Sequence, residues 1–247
     1  MLSEKIKVHL SKVVLIKDAF LEETVTNGMQ IRVFPEGKPI LKPDGYCLFL
    51  NMGQEEFEVE IDSPVYRRRT VRLKADGGEQ TEEIFLYPSK AYPVKSGSTW
   101  VCGSVLPETT LWFHVEESVR ECKLLCDYQK EDERISIFIK GKNGRGKKNW
   151  YIWDKEKKTG EYFQVQDISD EQEVYALMRP LKSDYRKKNA VLYPAFLYMT
   201  DETGELYLLL DHLKDENYEL HYSCCKKGEK ICGKVEIQGR KQNMLNL

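Results

Sequence analysis

Nowhere does this sequence hold an apolar run long enough to cross a bilayer, and its opening, MLSEKIKVHLSKVVLIKDAF, breaks each short apolar run with a charge. Neither a secretory signal nor a membrane span is expected, so synthesis in the cytoplasm is, with later incorporation into a particle left open. Long amphipathic helices are missing too. The best candidate, ISDEQEVYALMRPL, suits a strand about as well, because Val174 and Tyr175 favour strands and Pro180 ends the pattern. Catalytic signatures are equally scarce. The chain has four histidines and no G-x-S-x-G, H-E-x-x-H or glycine-rich dinucleotide fingerprint, so acid–base and nucleophilic catalysis have no assembled candidate and a non-enzyme is expected. An excess of one charge is also lacking: Lys+Arg 38 against Asp+Glu 40 gives a formal net charge of -2, which demands neither nucleic acid nor an anionic membrane.

The seven cysteines are an odd number spread over 247 residues, unlike the dense, even framework of a small secreted scaffold. Free thiols are the simpler reading. A period of two puts Cys122, Leu124 and Cys126 on one buried strand face, where free cysteine packs as a small hydrophobe. Cys224, Cys225 and Cys232, with His221 nearby, have the ligand types for zinc but lack a paired C-x-x-C knuckle. No metal and no cofactor are expected.

The chain does have alternation. Phe57, Val59 and Ile61 alternate with Glu58, Glu60 and Asp62; Val71 and Leu73 alternate with Arg72 and Lys74; and Ile135, Ile137 and Ile139 repeat the pattern. These read as half-buried strands. Turn signals separate them at Asn27-Gly28, Asp44-Gly45, Asp76-Gly77-Gly78, Thr159-Gly160 and Thr203-Gly204. The class is all-β. The stretch YPSKAYPVKSGST, residues 87 to 99, has two prolines and no periodic apolar pattern, which predicts two domains over 1–91 and 97–247, the second with an inserted hairpin module around 132–182.

The first part, with VVLIKDAFLEETVTNGMQIRVF, KPDGYCLFLNM, EEFEVEIDSPVYRRRTVRL and TEEIFLYP in that order, resembles the carboxypeptidase regulatory-like, or transthyretin-like, β-sandwich over roughly residues 5 to 90. In that reading Gly45 provides a turn, while Tyr46, Leu48 and Leu50 enter one face of the core and Phe57, Val59 and Ile61 another. The family's Gly-Xaa-Tyr before the later strand is altered here, since Gly53 is followed by QEEFEV. The resemblance implies a non-catalytic adaptor. In the second part, the segment from ISIFIK to NAVLYP, with Pro180-Leu181 near its end, is similar to a short β module of bacteriophage tail-associated and other particle proteins. That resemblance implies a subunit of a phage-tail-like or injection particle.

Residues 134 to 149, RISIFIKGKNGRGKKN, pose a separate question. Gly141, Gly146 and Lys147 follow phosphate-loop spacing, but Lys148 stands where a hydroxyl should hold magnesium. The following NWYIWDKEKKTGEYF alternates aromatic and β-branched residues as a hairpin strand does, and without a helix the loop has no dipole to bind phosphate. Basic residues beside Trp150, Tyr151 and Trp153 would suit single-stranded nucleic acid through residues 140–153, although the acidic segments KEDER and SDEQE flank the module. Arg67, Arg68, Arg69 and Arg72 read as a charged sandwich edge. His114 and Glu117 have the H-x-x-E spacing of a zinc pair, but a strand sends them to opposite faces, with Trp112, His114 and Glu116 sharing one side.

Two function classes follow. The leading expectation is a structural or adaptor protein whose partners are other protein subunits, docking through Lys147, Lys148, Trp150, Tyr151 and Trp153 as a mixed aromatic and charged hairpin. The bland reading of the same hairpin puts Trp150 and Ile152 in the core. The alternative class is a carbohydrate-binding module that stacks glycans on Trp112, Trp150, Trp153 and Tyr198.

Overall fold

The computed structural model describes residues 8–21, 23–116, 122–139, 148–169, 173–200, 202–210, 213–226 and 229–246. All regular structure among them is β-strand. The chain divides into two compact units, Met1–Ser96 with Tyr207–Leu209, and Gly97–Leu206 with Leu210–Leu247.

The first unit is a sandwich. One sheet has the order β3-β4-β1-β7, from Ile40–Leu41, Tyr46–Leu50, Leu10–Asp18 and Thr81–Leu86; the other is β2-β5-β6, from Gln30–Phe34, Glu56–Asp62 and Arg69–Lys74. All neighbours are antiparallel except β1 and β7. Period-two burial supplies the core from both sheets: Val14, Ile16, Cys47, Phe49, Ile84 and Leu86 face Val33, Phe57, Val59, Ile61 and Leu73. The alternation of β5 is therefore as expected. That of β4 is the opposite. Cys47 and Phe49 point inward while Tyr46 is exposed and Leu48 and Leu50 are half-buried. Every residue of YCLFL is apolar enough for either face, so its periodicity carries no phase. Gly45, at φ 85° between β3 and β4, is the turn expected, and a side chain there would run into Thr24. The arginine run does lie at a sheet edge, where Arg68 meets Glu60 and Asp62 at 3.7 and 3.4 Å.

A buried carboxylate ties the end of β1 to two distant segments. Asp18 accepts the backbone N–H groups of Phe20 and Leu21 at 2.6 and 2.8 Å, and the hydroxyls of Tyr66 and Tyr92 at 2.8 and 2.6 Å. Charge-assisted bonds of this kind are worth about 1.5–3 kcal/mol each, and removing the acceptor strands its donors. Asp18→Ala should therefore cost about 3 kcal/mol or more in urea denaturation of the full chain, and Tyr66→Phe about 1.5–3 kcal/mol. A second pair is pH-sensitive. Lys12, itself 6% exposed at the side chain, holds Asp76 at 2.7 Å. The Lys12 ammonium lowers the Asp76 carboxyl from its ordinary 3.8, so the contribution is present above that value and fades as pH falls through the lower folded value. The stability gap between wild type and Lys12→Met should accordingly narrow as denaturation is repeated from neutral pH to below the carboxylate range.

The second unit is built on a closed barrel. Six strands follow the order β10-β11-β14-β13-β12-β15, from Cys122–Leu124, Arg134–Phe138, Val174–Leu177, Thr159–Ser169, Asn149–Asp154 and Ala190–Met199, and a β10–β15 pairing closes the ring. Residues 132–182 contribute four of these six staves. Inside lie Cys122, Leu124, Ile135, Ile137, Trp150, Ile152, Phe163, Val165, Tyr175, Leu177 and Leu192. Where it is described, ISDEQEVYALMRPL contributes the end of β13 and the whole of β14, with turn and irregular residues around β14 and no helix. From β15 the sheet continues through β9, Thr110–Val115, to β17, Asn217–Lys226, and β18, Glu229–Gln238. A separate sheet has the order β16-β8-β19, from Glu205–Leu210, Thr99–Ser104 and Gln242–Asn246, with β8 and β19 parallel.

Two local expectations are corrected. Thr159 and Gly160 belong to β13; the turn is the preceding Lys155–Lys158, where Asp154 accepts the N–H groups of Glu156 and Lys157 at 2.9 and 3.0 Å and Lys158 takes φ 55°. Cys126 is exposed, because β10 ends at Leu124 and the alternation stops there.

Candidate functional site

Strand parity decides what the hairpin of β12 and β13 can offer. Trp150 and Ile152 point into the barrel and are fully buried, so Trp150 is core and cannot belong to an interaction surface. Tyr198, at 2% exposure, is likewise no stacking platform. Lys140 and residues 141–147, with Lys147 among them, lie outside the described residues; Lys148 is half-buried, and β12 begins at Asn149 as a strand. Tyr151 and Trp153 face outward.

On that outer face they are part of something larger. Tyr151 pairs with Tyr162 of β13 and with Tyr193 of β15; β15 pairs with β9, and His114 of β9 is directly opposite His221 of β17. The residue facing His114 on β15 is Ala195, whose small side chain leaves room for Tyr151, one strand further, to lay its ring on the imidazole at 3.9 Å between centroids. His221 stacks on His114 at 4.8 Å, Tyr193 at 5.9 Å, and Trp112 stacks on Tyr162 at 5.2 Å. Trp153 extends the run beyond Tyr151 at 6.4 Å. Gly160 is part of the construction, since a methyl there would meet the Tyr151 ring.

The polar atoms of this face converge. His114 Nδ1 and the Tyr162 hydroxyl are 2.8 Å apart, and the His114 side chain is 2% exposed. Its Nε2 lies 3.8 Å from Glu116 Oε1, and His221 Nε2 lies 3.8 Å from the same oxygen. Those spacings are too long for hydrogen bonds, and neither nitrogen has a hydrogen-bond partner among the described residues. A buried polar atom left so costs about 1–3 kcal/mol, here twice over. Burial pushes the His114 imidazole below its ordinary value, with Glu116 opposing and the His221 charge adding to the fall. His114 and the charges of His221 and Lys234 hold the Glu116 carboxyl below its own ordinary value against burial. Burial and the Glu116 charge push Tyr151 up to about 12. At neutral pH the site therefore presents a neutral imidazole, an ionised carboxylate and intact phenols.

Of the sequence-level candidates, Tyr151 and Trp153 come together with Trp112; His114 and Glu116 share a face as the alternation required. Glu117 lies outside the described residues. Cys224 turns to the opposite face from His221 and is buried; Cys225 and Cys232 are exposed on the His221 side, but the ligand atoms that come together among the described residues are those of His114, Glu116 and His221, without a cysteine. The signal missed in the sequence is the cross-strand partner: His221 stood beside cysteines in the chain, but the ladder sets it against His114. Elsewhere in the unit, a concavity of about 1010 Å³ is lined by Lys123, Lys155, Arg186, Lys187 and Lys188 with Asp127 and Asp184. No protein-family model matches the chain, and no curated protein matches it.

The two tryptophans of β12 provide a direct check on parity. Trp150→Ala should cost about 3–5 kcal/mol in the folding equilibrium, and Trp153→Ala about 1–2 kcal/mol, since only part of its ring leaves water on folding.

Proposed function

We propose that the protein is a non-enzymatic adaptor that docks onto a larger protein assembly through the outer aromatic face of its second unit. One observation carries this reading: Trp112, Tyr151, Trp153 and Tyr162 stand half-buried on a single sheet face, in a continuous run of ring contacts beside Glu116 and His221. Large half-exposed rings next to charged groups have the composition of protein interfaces, where tyrosine and tryptophan are enriched. The stacking also bears on the carbohydrate alternative. A sugar or a base stacks on a bare ring face, whereas Trp112 gives one face to Tyr162, and Tyr151 is in contact with His114, Trp153 and Tyr162. The partly exposed rings beside Glu116 and His221 offer a mixed aromatic and charged surface, which suits a protein partner better. Membership of a phage-tail-like particle is the context that the sequence resemblance suggests for such a subunit.

The reading is tested by placing a photo-crosslinking amino acid at position 153 and, as a control, at the exposed Met178, in cells that express the protein. A discrete crosslinked protein at 153 and not at 178, whose purified form binds wild type at least about tenfold more tightly than Trp153→Ala, is the expected result. Equal, unpatterned crosslinking at both positions, or equal binding by wild type and variant, would remove the proposal.

A further inference from the structure

The aromatic face contains a feature that a docking surface does not require. His114 stands on β9 with Glu116 two residues on, just past the strand's end, and His221 stands opposite His114 on β17, so three donor groups come together on one side of two paired strands. Their ligand atoms all lie within 4.8 Å of one another, with Glu116 Oε1 at 3.8 Å from each imidazole Nε2. Zinc bonded at about 2.0–2.1 Å in a tetrahedron keeps its ligand atoms about 3.4 Å apart, so side-chain torsions need to draw these atoms together by only a few tenths of an ångström up to roughly 1.4 Å. The two nitrogens aimed at this point are the same two that lack hydrogen-bond partners among the described residues.

We infer that His114, His221 and Glu116 form a binding site for a divalent transition-metal ion of the zinc type. Two imidazoles and one carboxylate are the donors that suit zinc and its neighbours, whereas calcium and magnesium prefer all-oxygen sites. The surroundings support the ligands as a metal site needs. Tyr162, at 2.8 Å from Nδ1 of His114, holds that ring in place, and the tautomer in which Nδ1–H donates to the phenol oxygen is the one that leaves the Nε2 lone pair for a metal. Tyr151 and His221 clamp the His114 ring on its faces. Glu219 also reaches His221, through Oε2 at 3.7 Å, while Lys234 pairs with its Oε1 at 2.6 Å; Glu116 is the carboxylate whose oxygen lies close to both imidazoles, which makes it the anionic donor. Three protein ligands leave a fourth position for water or for a donor brought by a partner. This inference stands on the donor geometry and does not depend on the docking proposal.

The test uses the full chain, stripped with chelator and titrated with zinc, with cobalt as a spectroscopic probe. One ion should bind per chain and raise the melting temperature in proportion to the logarithm of free metal. The cobalt spectrum should show nitrogen and oxygen ligation without a thiolate charge-transfer band. His221→Ala and Glu116→Gln, both at partly exposed positions and so tolerable to the fold, should weaken zinc binding by about a hundredfold, and Tyr162→Phe by about tenfold. Cys225→Ser and Cys232→Ser should leave it unchanged. The metal-free melting curves of His221→Ala and Glu116→Gln confirm that each variant is folded; should His221→Ala unfold, Glu116→Gln alone decides. No zinc-dependent shift in wild type, as expected if water alone bridges the three groups, overturns the inference. So does binding that survives Glu116→Gln, or a thiolate band that Cys232→Ser abolishes.

Discussion

Strand β15 has backbone hydrogen-bonding groups on both edges along ten residues, Pro194 alone lacking its N–H, and the rest of the second unit depends on how they are satisfied. On one edge Ala190–Pro194 pairs with β12. On the other, Val191 and Leu192 pair with β10 and close the barrel, after which Ala195–Met199 pairs with β9 and carries the sheet away from it. One strand is therefore both the seam of the barrel and the root of the extended sheet. Because strands alternate faces, this seam assigns Trp150, Ile152 and Leu192 to the barrel core and Tyr151 and Tyr193 to the outside. The same register brings His114 within a strand of that outer face.

The chemistry of the site follows from burial more than from charge count. His114 is surrounded by rings, which exclude water and so disfavour its charged form, while Glu116 next to it stays ionised at the more open end of the cluster. The result is an uncharged donor beside a charged one, at distances too long for either to satisfy the other by hydrogen bonding. In the first unit a comparable problem, a buried polar group, is resolved within the fold. Asp18 is given four donors, two from its own turn and two from distant tyrosines. The contrast between a saturated carboxylate and a pair of unsatisfied imidazole nitrogens separates the structural network from the candidate site.

The sequence by itself determined the all-β class and most strand faces, because both rest on local information. Glu58 and Glu60 can only face outward beside Phe57 and Val59, and Gly45 and Gly204 can take the positive φ that their turns require. Where both parities are apolar, local information runs out. YCLFL and NWYIWD each fit a sheet in either phase, and only the packing of the whole sandwich or the closure of the barrel selected Cys47 and Phe49 in one, Trp150 and Ile152 in the other. That Trp112, His114 and Glu116 share a face was readable from alternation alone. That His221 stands opposite His114, and that Tyr151 covers it, was not, because register between strands far apart in the chain is set by the hydrogen-bonding and core volume of the entire unit, and no stretch of sequence contains that sum.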